Sequence, residues 1–117
     1  MASSSEPISL SSHILDTMRG CPAEGLSLRL DQHEGGDQWK PLFSAETNHD
    51  GRITDLPKGL PAGRYRAVFD TAAYFAKIGV DSYFSPQVIV DFLTVGGQHY
   101  HIPLLLSPFG YTTYRGS

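Results

Sequence analysis

The chain has 117 residues, 40% of them hydrophobic, and its 9 Lys and Arg against 12 Asp and Glu leave a formal net charge of −3. That length suits one domain burying roughly two thirds of its unfolded surface, and the acidic balance excludes the basic stripe that displaces counterions from nucleic acid. A single cysteine, Cys21, excludes an internal disulfide framework and a multi-cysteine zinc site.

The opening "MASSSEPISL" lacks the basic start and long apolar stretch of a secretion signal, and no window reaches the length of a membrane span. A cytoplasmic protein with no membrane or nucleic-acid partner is expected. Residues 1–7, small and polar up to Pro7, are expected to form a disordered N-terminal tail, with one folded domain over 8–117.

Short β-rich runs separated by turn residues predict an all-β sandwich or barrel. "ISLSSHILD" (8–16) reads as the first strand and "RGCPAEG" as a turn. "LSLRLDQ" (26–32) sets Leu26, Leu28 and Leu30 on a core face against Ser27, Arg29 and Asp31 on a wet one. "QWKPLFSAET" (38–47) reads as a strand whose Pro41 marks an edge or a bulge. In "NHDG", the pair Asp50-Gly51 reads as a hairpin turn supplying positive backbone dihedrals, with Arg52 at the start of a short strand. Asn48, Asp50 and Gly51 also match the opening of a calcium loop, but the downstream glutamate and flanking helices are missing.

"GRYRAVFD" (63–70) alternates Tyr65, Ala67 and Phe69 with Arg64, Arg66 and Val68. "TAAYFAKIGV" (71–80) has helical spacing, a Thr or Asp to cap its start and a Gly to end it, so one short helix is predicted. "QVIVDFLTV" (87–95), "HYHIPLLLS" (99–107) and "FGYTTYRGS" (109–117) read as three closing strands.

Candidate chemistry gathers on a few of these. Side chains two apart on a strand share a face, so His99 and His101 of "HYH" project together, and His13 sits in the first strand among core-forming residues. Three strand histidines raise a zinc site, but no carboxylate or thiolate stands at ligand spacing beside them, so a metal-free site without a cofactor is the expectation. Arg52 is either a solvated residue or an arginine for a planar, anionic ligand. Cys21 reads as an incidental thiol. The natural nucleophile is then water activated by histidine. Asp16, on the opposite strand face from His13, reads as a turn initiator.

The stretches "SSHILDTMRGCPAEGLSLRL", "TNHDGRITDL" and "HYHIPLLLSPFGYTTYRGS" together resemble the 5-hydroxyisourate hydrolases of the transthyretin-like family, over roughly residues 8–117. The closing "YRGS" is the tetrapeptide that separates these hydrolases from transthyretin carriers. The resemblance implies a transthyretin-like β-sandwich of two four-stranded sheets with one short helix. It also implies a homotetramer, a dimer of dimers with active sites at the dimer–dimer interface.

The activity it implies is hydrolytic opening of the six-membered ring of 5-hydroxyisourate to 2-oxo-4-hydroxy-4-carboxy-5-ureidoimidazoline, in urate and purine catabolism. The catalytic residues it implies are His13 of "HILD", Arg52 of "DGR", His101 of "HYH" and Ser117 of "YRGS", with His13 and Arg52 also binding substrate. Tyr114 is a further substrate-binding candidate that would shape the pocket floor. Arg115 would fix the chain end by pairing with an acidic side chain, and His99 is peripheral. A non-enzymatic transthyretin-like carrier of flat aromatic ligands is the alternative, and a zinc module built on His13, His99 and His101 a third reading.

Overall fold

In the first strand, Leu10, Ser12, Ile14 and Asp16 are buried and the residues between them only half-buried, the period of two that a strand shows when its core lies on one side. The computed structural model describes residues 6–116. Its elements run β1 (Ser9–Asp16), β2 (Cys21–Pro22), β3 (Ser27–Gly35), β4 (Gln38–Glu46), β5 (Arg52–Ile53), β6 (Arg64–Phe69), α1 (Thr71–Lys77), β7 (Val88–Leu93), β8 (His99–Ser107) and β9 (Gly110–Thr113). They form two packed sheets. One has the order β2-β1-β8-β9 with β5 also on β1, and the other the order β4-β3-β6-β7.

The all-β sandwich is therefore as expected, with one difference in strand count. Cys21 and Pro22, read from sequence as part of a turn, pair antiparallel with Asp16 and Leu15, so the first sheet has five strands rather than four. A two-residue strand carries too few side chains for alternation to reveal it. Between the sheets Leu10, Ile14, Ile102, Leu104 and Leu106 meet Leu28, Leu30, Tyr65, Phe69 and Val88 in one apolar core, the inner faces of an aligned sandwich. Pro41 sits on edge strand β4 beside a register shift between Leu30 and Asp31, so both the edge and the bulge are present.

The outer face of the second sheet is less wet than alternation predicts. Asp31 is 1% exposed because Arg29 and Arg66 close over it, each guanidinium donating to its carboxylate at 2.8–3.1 Å, while Arg66 also stacks 4.3 Å over the Trp39 ring. Burial opposes the charge, yet the hydrogen bonds from Arg29 and Arg66 outweigh it and hold the carboxyl below its ordinary value of 3.8. The stability this network supplies is present above that ordinary value and is lost as pH falls through the lower native one.

α1 begins where Asp70 accepts from the Ala73 amide at 3.1 Å, and it ends three residues earlier than the spacing suggested, with Gly79 at a positive φ. Its Tyr74 hydroxyl donates to Asp16 Oδ2 at 2.7 Å in the interior, and Asp16 Oδ1 accepts from the Arg19 amide at 2.9 Å. Asp16 does initiate the turn after β1, and it also anchors the helix. Burial first, then the neighbouring carboxylate, pushes the Tyr74 hydroxyl far above its usual range, so it stays a donor around neutral pH. Tyr74→Phe is expected to leave Asp16 without that donor and to lower unfolding free energy by about 1–3 kcal/mol, measured by urea denaturation.

Candidate active site

The site is assembled by one pairing. β1 and β8 run parallel, with Ser9 opposite His99, Ser11 opposite His101 and His13 opposite Pro103. Parallel neighbours at matched positions share a face, so Ser9, Ser11, His13, His99 and His101 all lie on the side of the first sheet that turns away from the core. Adjacent strands lie about 4.8 Å apart, which puts His13 diagonally next to His101 although they are distant in sequence.

Arg52 joins them from the other flank. In the β1–β5 pairing it stands directly opposite His13, where cross-strand side chains meet on one face with Cβ atoms about 5 Å apart. The turn before it is built by Asn48, whose Oδ1 accepts from the Asp50 and Arg52 amides at 2.9 and 3.0 Å and whose carbonyl accepts from the Gly51 amide at 2.9 Å. Gly51 alone supplies the positive φ, 73°, so Asp50 does not contribute one. The turn is also no hairpin: β4 lies in the second sheet and β5 in the first, so Asn48–Arg52 carries the chain across the sandwich. A Cβ at Gly51 would collide with the Ile14 carbonyl oxygen and come within 3.1 Å of the Pro22 Cβ. Only glycine lets the turn dock closely enough to present Arg52 to His13.

His101 is half-buried and has several polar neighbours. Its Nδ1 lies 2.7 Å from Ser11 Oγ. Burial first, then the positive charge of Arg52 and the nearby His13 and His99, pull its pKa below the ordinary 6.5. Neutral imidazole is therefore favoured near neutrality, the form a base requires. Beyond β9 the chain returns to this residue: Gly116 forms an antiparallel bridge with His101, its amide donating to the His101 carbonyl at 2.8 Å. A Cβ there would lie 2.6 Å from the imidazole Cδ2, so glycine is needed for the chain to lie flat against the ring. Ser117, the fourth residue of the expected set, lies outside the described residues.

The remaining candidates lie differently. Tyr114 lines a cavity of about 200 Å³ shared with Val90, Phe92, Tyr100 and Ile102; Tyr100 and Ile102 are core-face residues, so this is not the His13–Arg52–His101 face. Arg115 does tie down the chain end, but through the Gln98 side-chain oxygen at 2.8 Å, the His99 carbonyl at 3.3 Å and the Tyr100 ring at 4.3 Å. Among the described residues it has no acidic partner. Also among them, no three His, Cys, Asp or Glu side chains are placed to hold a metal ion. Cys21 is a half-exposed free thiol in β2. Sequence reading passed over Ser9 and Ser11. Alternation placed them on the His13 face, but nothing local revealed which residues of β8 they would meet.

Residues 10–116 match the model of the HIUase/transthyretin family. The chain is 44% identical to 5-hydroxyisourate hydrolase of Mus musculus, the alignment covering 100% of both chains. Among solved structures it is similar to Klebsiella pneumoniae 5-hydroxyisourate hydrolase, with a TM-score of 0.78 and 38% identity over 97% of this chain and 96% of that one. It is also similar to sea bream transthyretin in complex with thyroxine, with a TM-score of 0.86 and 36% identity over 92% of this chain and 93% of that one.

The electrostatics of His101 can be read directly. In an NMR titration it is expected to protonate below the ordinary histidine value of 6.5, and Arg52→Gln is expected to move that transition upward by removing a neighbouring positive charge. Because the unfolded chain would take up this proton first, the same residue makes the fold less stable as pH drops below the ordinary histidine range.

Proposed function

The chain belongs to the HIUase/transthyretin family, and on that premise we propose that it hydrolyses 5-hydroxyisourate to 2-oxo-4-hydroxy-4-carboxy-5-ureidoimidazoline in urate degradation, with His13, Arg52, His101 and Ser117 as its catalytic residues. The observation that carries the reading is the meeting of His13, Arg52 and His101 on one sheet face in a chain 44% identical over its whole length to a hydrolase of that name.

The chemistry asks for what this face offers. Water attacks a ring carbonyl, its oxygen bonds to the carbonyl carbon, the ring C–N bond breaks, and the water's protons end on a base and on the departing nitrogen. His101, held neutral by its surroundings, takes the water's proton, with Ser117, the last residue of the "YRGS" tetrapeptide, orienting that water. Arg52, with its planar guanidinium fork, anchors the planar substrate and stabilises the charge that develops on the carbonyl oxygen. His13, opposite Arg52, polarises that carbonyl or delivers a proton to the nitrogen.

On a single chain this face is open, and Leu15 and Leu105, further along the same face, are only half-buried. Assembly as a homotetramer would close it against a second copy and exclude bulk water, which strengthens every electrostatic contact inside. We place the protein in the cytoplasm, in keeping with its single free cysteine; separately, among the described residues no helix is long and apolar enough to cross a membrane. A carrier role on the same fold, as in thyroxine-bound sea bream transthyretin, is less well supported, because two imidazoles and a guanidinium suit hydrolysis better than storage of an apolar ligand.

Freshly generated 5-hydroxyisourate should decay faster with the protein than without it, followed by absorbance; a folded sample giving no acceleration would overturn the assignment. His101→Asn and Arg52→Ala are expected to lower kcat/KM by about 100-fold or more while leaving the circular dichroism spectrum and assembly state unchanged. Ser117→Ala is expected to lower kcat with a smaller effect on KM.

A further inference from the structure

Four side chains on the site face form a continuous hydrogen-bonded line. Ser9 Oγ is 2.7 Å from His99 Nδ1, Ser11 Oγ is 2.8 Å from His99 Nε2, and the same Ser11 Oγ is 2.7 Å from His101 Nδ1. The β1–β8 register forces this order, since it sets Ser9 beside His99 and Ser11 beside His101. One hydroxyl bridging two imidazoles has a single proton to give, so the direction of every bond in the line is coupled.

With both imidazoles neutral, only two arrangements satisfy all the partners. In one, His101 Nδ1–H donates to Ser11, Ser11 donates to His99 Nε2, and His99 Nδ1–H donates to Ser9; His101 Nε2 then carries a free lone pair. In the other, every bond is reversed and His101 Nε2 carries the proton. The first arrangement makes His101 a base and the second does not. A proton gained at His101 Nε2 reverses the two bonds at Ser11: Nδ1–H passes to Ser11, the Ser11 proton passes to His99 Nε2, and the positive charge moves from His101 to His99. The second arrangement is complete once the His99 Nδ1 proton is released to water and Ser9 turns to donate.

The surroundings favour that transfer. His101 is half-buried with Arg52 and His13 beside it, whereas His99 is exposed. His99, Ser9 and Ser11 also border an open groove of about 500 Å³ with Thr54 and Lys58, where water can accept the proton. Lys58 is the charged side chain bordering that groove, and Arg115 meets His99 at its backbone carbonyl.

We propose that Ser11 and His99 are positioning and proton-accepting partners of His101: Ser11 selects the tautomer that leaves His101 Nε2 basic, and His99 receives the proton that His101 gains. This rests on the reading of His101 as the base, and it gives roles to one residue expected to be peripheral and one passed over.

The test separates tautomer from turnover. With 15N-labelled histidine at a pH above both titrations, long-range NMR correlations should show His101 as the Nδ1–H tautomer, changing to a mixed or Nε2–H population in Ser11→Ala. Ser11→Ala should lower kcat about tenfold with KM unchanged, and Ser11→Thr, which keeps the hydroxyl, should restore it. His99→Gln should lower kcat, and the double variant should be no slower than Ser11→Ala, because both act through one line. An Nε2–H tautomer in the unaltered protein, a tautomer indifferent to Ser11→Ala, or losses that multiply in the double variant would overturn the proposal. Because the tautomer is read without substrate, a protein with the Nδ1–H form but no hydrolase activity would refute the hydrolase reading while upholding the assignment of Ser11.

Discussion

The parallel register between β1 and β8 is the constraint on which the rest depends. It joins the first and penultimate long strands over eight matched positions, and because side chains alternate, a slip of one residue would turn His13 and Ser11 into the core and bring Leu10 and Ile14 out. Core packing therefore enforces the site. Ile14, Leu104 and Leu106, each at most 1% exposed, hold the histidines in register more firmly than any polar contact on the outer face. Ser12 adds to this from the buried side, donating to the Ile102 carbonyl at 2.7 Å, so even the polar residue of β1 that faces the core fixes the same pairing.

The electrostatics follow from what the register brings together. Burial and the nearby Arg52, His13 and His99 together disfavour the charged form of His101. That differs from the Asp31 cluster on the opposite sheet, where two arginines surround one carboxylate and stabilise its charge. One sheet thus carries a compensated ionic network that holds strands together, and the other a face on which a guanidinium and imidazoles gather. That contrast marks the latter face as the candidate site.

Much of this was legible locally. Alternation in Leu26, Leu28 and Leu30 and in Tyr65, Ala67 and Phe69 reports burial directly, because a strand exposes its faces with period two whatever it packs against. The helix start at Asp70 was legible for the same reason, since a cap acts within one turn. The misses were non-local. The Asp50-Gly51 turn looked like a hairpin because a turn's residues do not encode which sheet the next strand will join. Asp31 looked solvated because its two arginine partners arrive from position 29 on its own strand and position 66 on a neighbour. Arg115 was expected to seek an acid, and found instead an amide, a carbonyl and an aromatic face that only the folded chain end brings near.

The sequence by itself determined the all-β class, the core faces and the family, and it singled out His13, Arg52 and His101 as candidates, because composition, alternation and motifs are local properties. Only the tertiary structure decided that these three share one face, that Gly51 and Gly116 lie too close to their neighbours to carry a side chain, and that Ser11 stands between two imidazoles. Those facts depend on register between strands some ninety positions apart, which burial of the whole core selects and no short stretch of sequence contains.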